Sequence, residues 1–158
     1  MPSSLPSSSR CSRSSPRRSR RPSAPAQAAR PSPRTRCRSA ARPGKAVQFA
    51  YAELGCPYVF GGTGPCGSGF DCSGLTMSAW AAAGVSIPRT SEEQWASLPH
   101  VSTSDLQPGD ILVYNGAGHV GIYVGGGMLI DAPHTGLDVE KVALSGWYLQ
   151  TLNGAVRP

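Results

Sequence analysis

The sequence predicts an α+β domain, with helices in its first half and a run of antiparallel strands in its second. Two patterns carry this. Apolar residues recur at helical spacing up to residue 84, and from residue 111 onward short apolar runs alternate with glycine- and proline-marked turns. A third observation sets the limits of the domain. Eleven of the fifteen basic residues, all arginine, and eight of the fifteen prolines lie in residues 1–44, which contain no acidic residue. Residues 45–158 hold four basic and nine acidic residues, so a chain of net charge +6 carries a domain of net charge −5. The basic pI therefore belongs to the tail. The 114 residues from 45 to 158 are enough for one compact core.

Residues 1–44 are rich in Ser, Pro and Arg and poor in large apolar side chains. Such a segment buries too little surface to offset the entropy of ordering and is predicted to be disordered. A solvated linker or leader accounts for it. The other reading is an anion-binding arm for nucleic acid, acidic lipid or an anionic wall polymer. No run approaches the ~20 apolar residues of a spanning helix. Arg17-Arg18 and Arg20-Arg21 are not followed by the apolar stretch of a secretory signal, so either export takes another route or the start is misassigned.

Residues 45–54 read as a helix, with Val47, Ala50, Tyr51 and Leu54 on one face and Gly55 as its stop. Residues 58–60 are a short extended piece, and residues 63–69 a glycine-rich loop. Asp71 is a good N-cap for the next helix, able to accept the amide of Ser73 or Gly74. Leu75, Ala79 and Ala82 give that helix its apolar face, and Gly84 suits a left-handed C-terminal stop. Thr90 or Ser91 caps a short helix through Trp95. Residues 105–110 form a turn. Strands are predicted at 111–114, 119–124, 128–132, 137–142 and 146–152, with Pro133 ending the third.

Cys72 opens the capped helix, where the helix dipole favours negative charge. A free cysteine is more commonly a buried core thiol, so the nucleophile reading needs a partner. Of the three histidines, His100 sits in an ordinary loop, while His119 opens a strand directly after a glycine turn. A three-residue turn at 125–127 sets Val124 opposite Met128, Gly121 opposite Asp131 and His119 opposite Pro133. His119 and Asp131 then share a sheet face as diagonal neighbours, about 7–8 Å apart at the backbone. The carboxylate is placed to hold one ring nitrogen and leave the other for Cys72. Asp131 on its own would read as a turn residue. His134, just past Pro133, is the fallback third residue or a rim contact. Cys56 and Cys66 flank the glycine-rich loop and are positioned for a disulfide in an oxidising compartment; Cys11 and Cys37 have no evident partner. No zinc-ligand spacing occurs, and no metal or cofactor is expected.

The ordered series Pro57-Tyr58-Val59-Phe60-Gly61-Gly62, Phe70-Asp71-Cys72-Ser73-Gly74-Leu75, Pro88-Arg89-Thr90-Ser91 with Gln94, Leu106-Gln107-Pro108-Gly109-Asp110 and Gly118-His119-Val120-Gly121-Ile122-Tyr123 resembles the NlpC family of bacterial cell-wall peptidases. The resemblance covers residues 45–152. It implies a papain-like α+β fold and a cysteine endopeptidase that cuts peptidoglycan stem peptides between D-γ-glutamyl and the diamino acid. Carried over by position, Cys72 is the nucleophile, His119 the base and Asp131 the third residue. That third position is usually His in the family, less often Glu, Gln or Asn, so Asp is a departure. Tyr58 matches an oxyanion-side tyrosine, and Asp71, Ser73 and Arg89 match positions lining the substrate cleft. The Cys56 and Cys66 pair is not a general feature of the family. The resemblance further implies a secreted or wall-associated, monomeric hydrolase, with stem peptides as its partner and no nucleic acid. A related Cys-His amidase or acyl-transferring enzyme, and a binding module acting through the basic tail, are the competing functions.

Overall fold

The computed structural model describes residues 33–158, with side chains from residue 41 onward. In chain order the main elements are α1 (Pro33–Ala52), α2 (Cys72–Ala82), α3 (Ser91–Ser97), β1 (His100–Val101), β2 (Ile111–Tyr114), β3 (His119–Gly125), β4 (Met128–Asp131), β5 (Glu140–Ala143), α4 (Gly146–Gln150) and β6 (Leu152–Val156). The strands form one antiparallel sheet in the order β1-β6-β2-β3-β4-β5. The predicted α+β architecture is present, helices first and sheet second.

Besides the short strand β1, which takes up His100 where an ordinary loop was expected and pairs with β6, two elements differ from expectation. The first helix begins at Pro33 rather than residue 45, so residues 33–44 of the segment predicted to be disordered are helical. Apolar spacing reports only the packed part of a helix, here around the fully buried Ala46 and Ala50. Upstream, proline suits a first helical position and Ala and Arg are good helix formers. Residues 1–32, and the anion-binding expectation attached to them, lie outside the described residues. The second difference is at 146–152, predicted as a strand. Its first part is the helical turn α4, and only from Leu152 does β6 begin. Trp147 and Tyr148 favour strands by propensity. Here tertiary packing overrides it, because Tyr148 stands edge-on to Tyr114 at 5.4 Å between ring centroids.

The sheet has two buried faces, set by the period-two alternation of its strands. Ile111, Val113, Val120, Ile122 and Ile130 face the helices and meet Leu75, Ala79 and Trp80 of α2 and Ala46 and Ala50 of α1. Each fully buried large apolar side chain contributes roughly 1.5–3 kcal/mol. On the opposite face Leu112, Tyr114, Leu129 and Ala155 are covered by Leu144, Tyr148 and Leu152. His119 pairs with Tyr114 and so belongs to this second face, whereas Cys72 packs with the helical layer. The two meet at the end of the sheet, where β2 finishes and β3 starts.

The β3–β4 hairpin reaches the expected register by a different route. Gly125, not Val124, pairs with Met128, leaving a two-residue turn at Gly126-Gly127. That change alone would turn Asp131 to the other face. A bulge between Tyr123 and Gly125 absorbs the extra residue, and Tyr123 pairs with Leu129 and Ile122 with Ile130. Continued by one pair, this register sets Gly121 against Asp131. A Cβ at residue 121 would lie 2.8 Å from Leu129 Cδ1 and 3.1 Å from Asp131 Cβ. Gly121→Ala is therefore expected to cost about 1–3 kcal/mol by overpacking, read as a lowered thermal midpoint. An unchanged melt would mean that the sheet relaxes freely there.

Candidate active site

Asp71 holds the start of α2 in place. Its Oδ1 accepts the Gly74 amide at 2.6 Å, the expected N-cap bond, and its Oδ2 accepts the Gly61 amide at 2.9 Å. Arg89 closes the carboxylate with a two-pronged pair, 3.0 Å to Oδ1 and 2.7 Å to Oδ2, and donates a further bond of 2.9 Å to Ser73 Oγ. That geometry is the favoured one for guanidinium and carboxylate. A side chain at residue 74 would collide with the carbonyl of Gly62, so glycine lets the glycine-rich loop lie against the helix start. The loop is tied off by a disulfide between Cys56 and Cys66. Cys72 emerges from this frame as a free, partly exposed thiol.

Gln94 braces the same turn from α3. Fully buried, it accepts from Thr76 Oγ1 at 2.9 Å and donates to the carbonyls of Ser73 and Pro88 at 3.2 and 2.9 Å. Thr90 and Glu93 form a capping box at the start of α3 and fix the segment that carries Arg89.

Across the cleft His119 Nε2 lies 2.6 Å from Asp131 Oδ2, and Cys72 is close enough to the ring to raise its pKa. Asp131 is completely buried. Its Oδ2 also accepts the hydroxyl of Tyr148 at 2.9 Å. Burial pulls the His119 pKa down. The hydrogen bonds to Asp131 and Cys72, together with their charges, outweigh burial and hold it up at about 9. An imidazole so placed is cationic at neutral pH.

The sequence-predicted residues separate into two groups. Cys72, His119 and Asp131 come together around the His119 ring. Asp71, Ser73 and Arg89 form one network in which the Asp71 oxygens are already taken; Arg89, with a third of its side chain exposed, is the member that faces solvent. Tyr58 joins the Cys72 side. Its pKa is raised by burial first, then by Cys72 and Asp71, so its hydroxyl remains a donor. His134 is exposed, with Nδ1 3.0 Å from the Thr135 carbonyl, and makes no bond to His119. It lines a cavity of about 360 Å³ beside His119, together with Pro133, Leu137, Glu140, Trp147 and Tyr148. Tyr148 and Trp147 were not expected at the site; their only trace in the sequence is an aromatic pair in a segment of strand-like composition. Gln94 appeared only as part of a family motif. Asp110 of the Pro-Gly-Asp turn is remote in role, since Arg157 clamps it with bonds of 2.7 and 2.8 Å and so fastens the C-terminal end. Among the described residues one group, Glu53, Cys56 and Cys66, has metal-ligand spacing, but its sulfurs are bonded to each other. No helix among them is long and apolar enough to cross a membrane.

Sequence comparison matches residues 55–156 to the NlpC/P60 family. The "Probable endopeptidase p60" of Listeria monocytogenes is 45% identical over 104 residues, 64% of this chain but 21% of the relative. The chain thus spans about a fifth of the length of the curated relatives it matches. A solved NlpC/P60 family protein of Bacillus cereus superposes with a TM-score of 0.68 at 32% identity, covering 73% of this chain and 39% of that one. The solved NlpC/p60 domain of the peptidoglycan hydrolase SagA superposes with a TM-score of 0.65 at 33% identity, covering 73% of this chain and 98% of that one.

The His119 pair has a consequence for stability. Its pKa is about 9 in the folded chain against 6.5 for a free histidine. A raised folded pKa stabilises the native state fully below the unfolded value and ceases to do so as pH rises through the folded one. The contribution of His119 is therefore expected to be lost between pH 6.5 and 9, and denaturant midpoints of the wild type to fall across that window. In Asp131→Asn the fall should be shallower, because the charge that raises the pKa is gone. Equal slopes in the two proteins would contradict this account.

Proposed function

Because the chain belongs to the NlpC/P60 family, we propose that it is a cysteine endopeptidase of peptidoglycan that cuts stem peptides at the D-γ-glutamyl–diamino acid bond. The observation that carries this reading is the His119 ring, bonded to Asp131 through Nε2 and influenced by the nearby Cys72. In the reactive form His119 already holds the Cys72 proton as a thiolate–imidazolium pair, while Asp131 on Nε2 holds the ring and stabilises its charge. The thiolate attacks the glutamyl carbonyl. The developing oxyanion meets the Cys72 backbone N–H, which has no acceptor within the first helical turn, and the Tyr58 hydroxyl. His119 then protonates the leaving amine. Water, deprotonated by His119, cleaves the thioester and restores the thiol.

The two sides of the cleft suit the two halves of such a substrate. A γ-linked glutamyl residue carries a free α-carboxylate, and Arg89 offers a guanidinium edge on the Cys72 side. The cavity beside His119 places Glu140 among apolar walls, which suits a diamino acid with an aliphatic stem and a cationic end. That reading implies a secreted or wall-associated protein, since such a substrate lies in the wall.

Digestion of purified peptidoglycan, followed by mass analysis of the soluble fragments, tests the reading. Wild type is expected to release fragments ending in the γ-linked glutamyl residue. Cys72→Ala and His119→Ala are each expected to lower the rate by at least about 10³-fold while retaining the fold, since nucleophile and base act as a unit. Fragments cut at another amide would reassign the chain to a related amidase. Turnover by folded Cys72→Ala would remove the cysteine mechanism.

Asp131 is expected to act in a graded way. Asp131→Asn keeps size and one acceptor but loses the charge, so measurable activity should persist; Asp131→Ala should lose more. The pH at which the Cys72–His119 pair loses its proton should fall in both, because a negative charge beside the imidazolium has gone. If rate and basic limb both match wild type, Asp131 is not the third residue.

A further inference from the structure

Asp131 Oδ2 serves two donors at once, His119 Nε2 at 2.6 Å and the Tyr148 hydroxyl at 2.9 Å, while Oδ1 is buried without a partner. The negative charge is thus shared through one oxygen between the imidazole and a phenol. From this geometry we propose that Tyr148 is a positioning residue for the reaction, fixing the Asp131 rotamer and limiting how strongly the carboxylate holds the His119 proton.

The physical argument has two steps. A buried carboxylate is costly unless its oxygens accept hydrogen bonds, and a second donor confines it to one orientation. The hydroxyl hydrogen also lies beside the imidazolium N–H on the same acceptor. Its positive end offsets part of the carboxylate field at His119, so Tyr148 works against excessive proton affinity in the ring. A base that must release its proton to the leaving group works best when its pKa is not far above the operating pH. The groups facing His119 are Cys72 from α2, Tyr114 from β2, Asp131 from β4 and Tyr148 from α4, with Glu140 and His134 across the cavity. Of these, Tyr148 alone donates to Asp131 besides His119 itself. Tyr114 lies 6.0 Å from the His119 ring, and its hydroxyl has no partner. The Tyr148 ring is held independently by edge-on contacts with Tyr114 at 5.4 Å and Trp147 at 5.2 Å. Removal of the hydroxyl alone therefore separates positioning from packing.

The test is Tyr148→Phe in the full chain, with Tyr114→Phe as the matched loss of a hydroxyl that does not touch Asp131. The catalytic part of this inference rests on the proposed peptidase reaction; the titration part does not. The first readout is an NMR titration of the His119 ring. Its midpoint is expected to rise in Tyr148→Phe and to stay at the wild-type value in Tyr114→Phe. The second is muropeptide cleavage, where kcat in Tyr148→Phe is expected to fall roughly tenfold, the scale of one charge-assisted hydrogen bond. KM should be little changed, and the basic limb should move to higher pH. An unchanged or lowered His119 midpoint would overturn the proposal. If Tyr148→Phe does not fold, a ring-fluorinated tyrosine at residue 148 strengthens the donor and is expected to lower the midpoint; a rise would overturn it equally. Absence of cleavage by wild type would refute the peptidase reading while leaving the titration to decide on Tyr148.

Discussion

A carboxylate with no access to water sits behind an imidazole at the end of the sheet, and the second face of the fold is built to make that tolerable. Asp131 is completely buried and accepts from His119 and Tyr148. A buried charge of this kind is stable only when its partners are fixed in place. Each partner arrives by a separate device: His119 through the register of β3 and β4, Tyr148 through the helical turn α4. The bulge near the hairpin is essential to the first. Without it the two-residue turn would point Asp131 into the helical core, where no cation waits.

The helical layer uses the same logic with a second carboxylate. Asp71 caps α2, ties the glycine-rich loop through the Gly61 amide and receives Arg89. Each of the two layers is thus pinned at the cleft by one acid that accepts hydrogen bonds from within the protein, Asp71 through both oxygens and Asp131 through Oδ2. Asp71 fixes the helix start that carries Cys72, and Asp131 holds the His119 ring.

Much of this was legible in sequence because it depends on local rules. Asp71 three residues before Gly74 is a cap signal, and Gly84 is a stop. The pairing of Gly121 with Asp131 follows from period-two counting around a glycine turn, although the turn and the bulge exchanged one residue without changing the sum. What was not legible is tertiary. Nothing local distinguishes residues 146–150 as helix, because the choice is made by the stacking of Trp147 and Tyr148 on Tyr114. The early start of α1 was hidden for the opposite reason, since residues 33–44 carry no apolar periodicity to read. The role of Arg89 as a partner of Asp71 needed the fold, as eighteen positions along the chain separate the two and no local signal spans them.

The departure at the third position ties these observations together. A histidine there would be able to orient His119 as a neutral group. An aspartate brings a full charge into a site without solvent, and that charge changes what must surround it. With the imidazole as its one donor, the buried carboxylate would have a single hydrogen bond and no fixed orientation. A second donor supplies a further bond and confines it. Tyr148 meets that requirement, and its ring is anchored by aromatic neighbours rather than by the site itself. The aspartate and the tyrosine therefore form one hydrogen-bonded unit, with α4 as the element that brings the tyrosine to it.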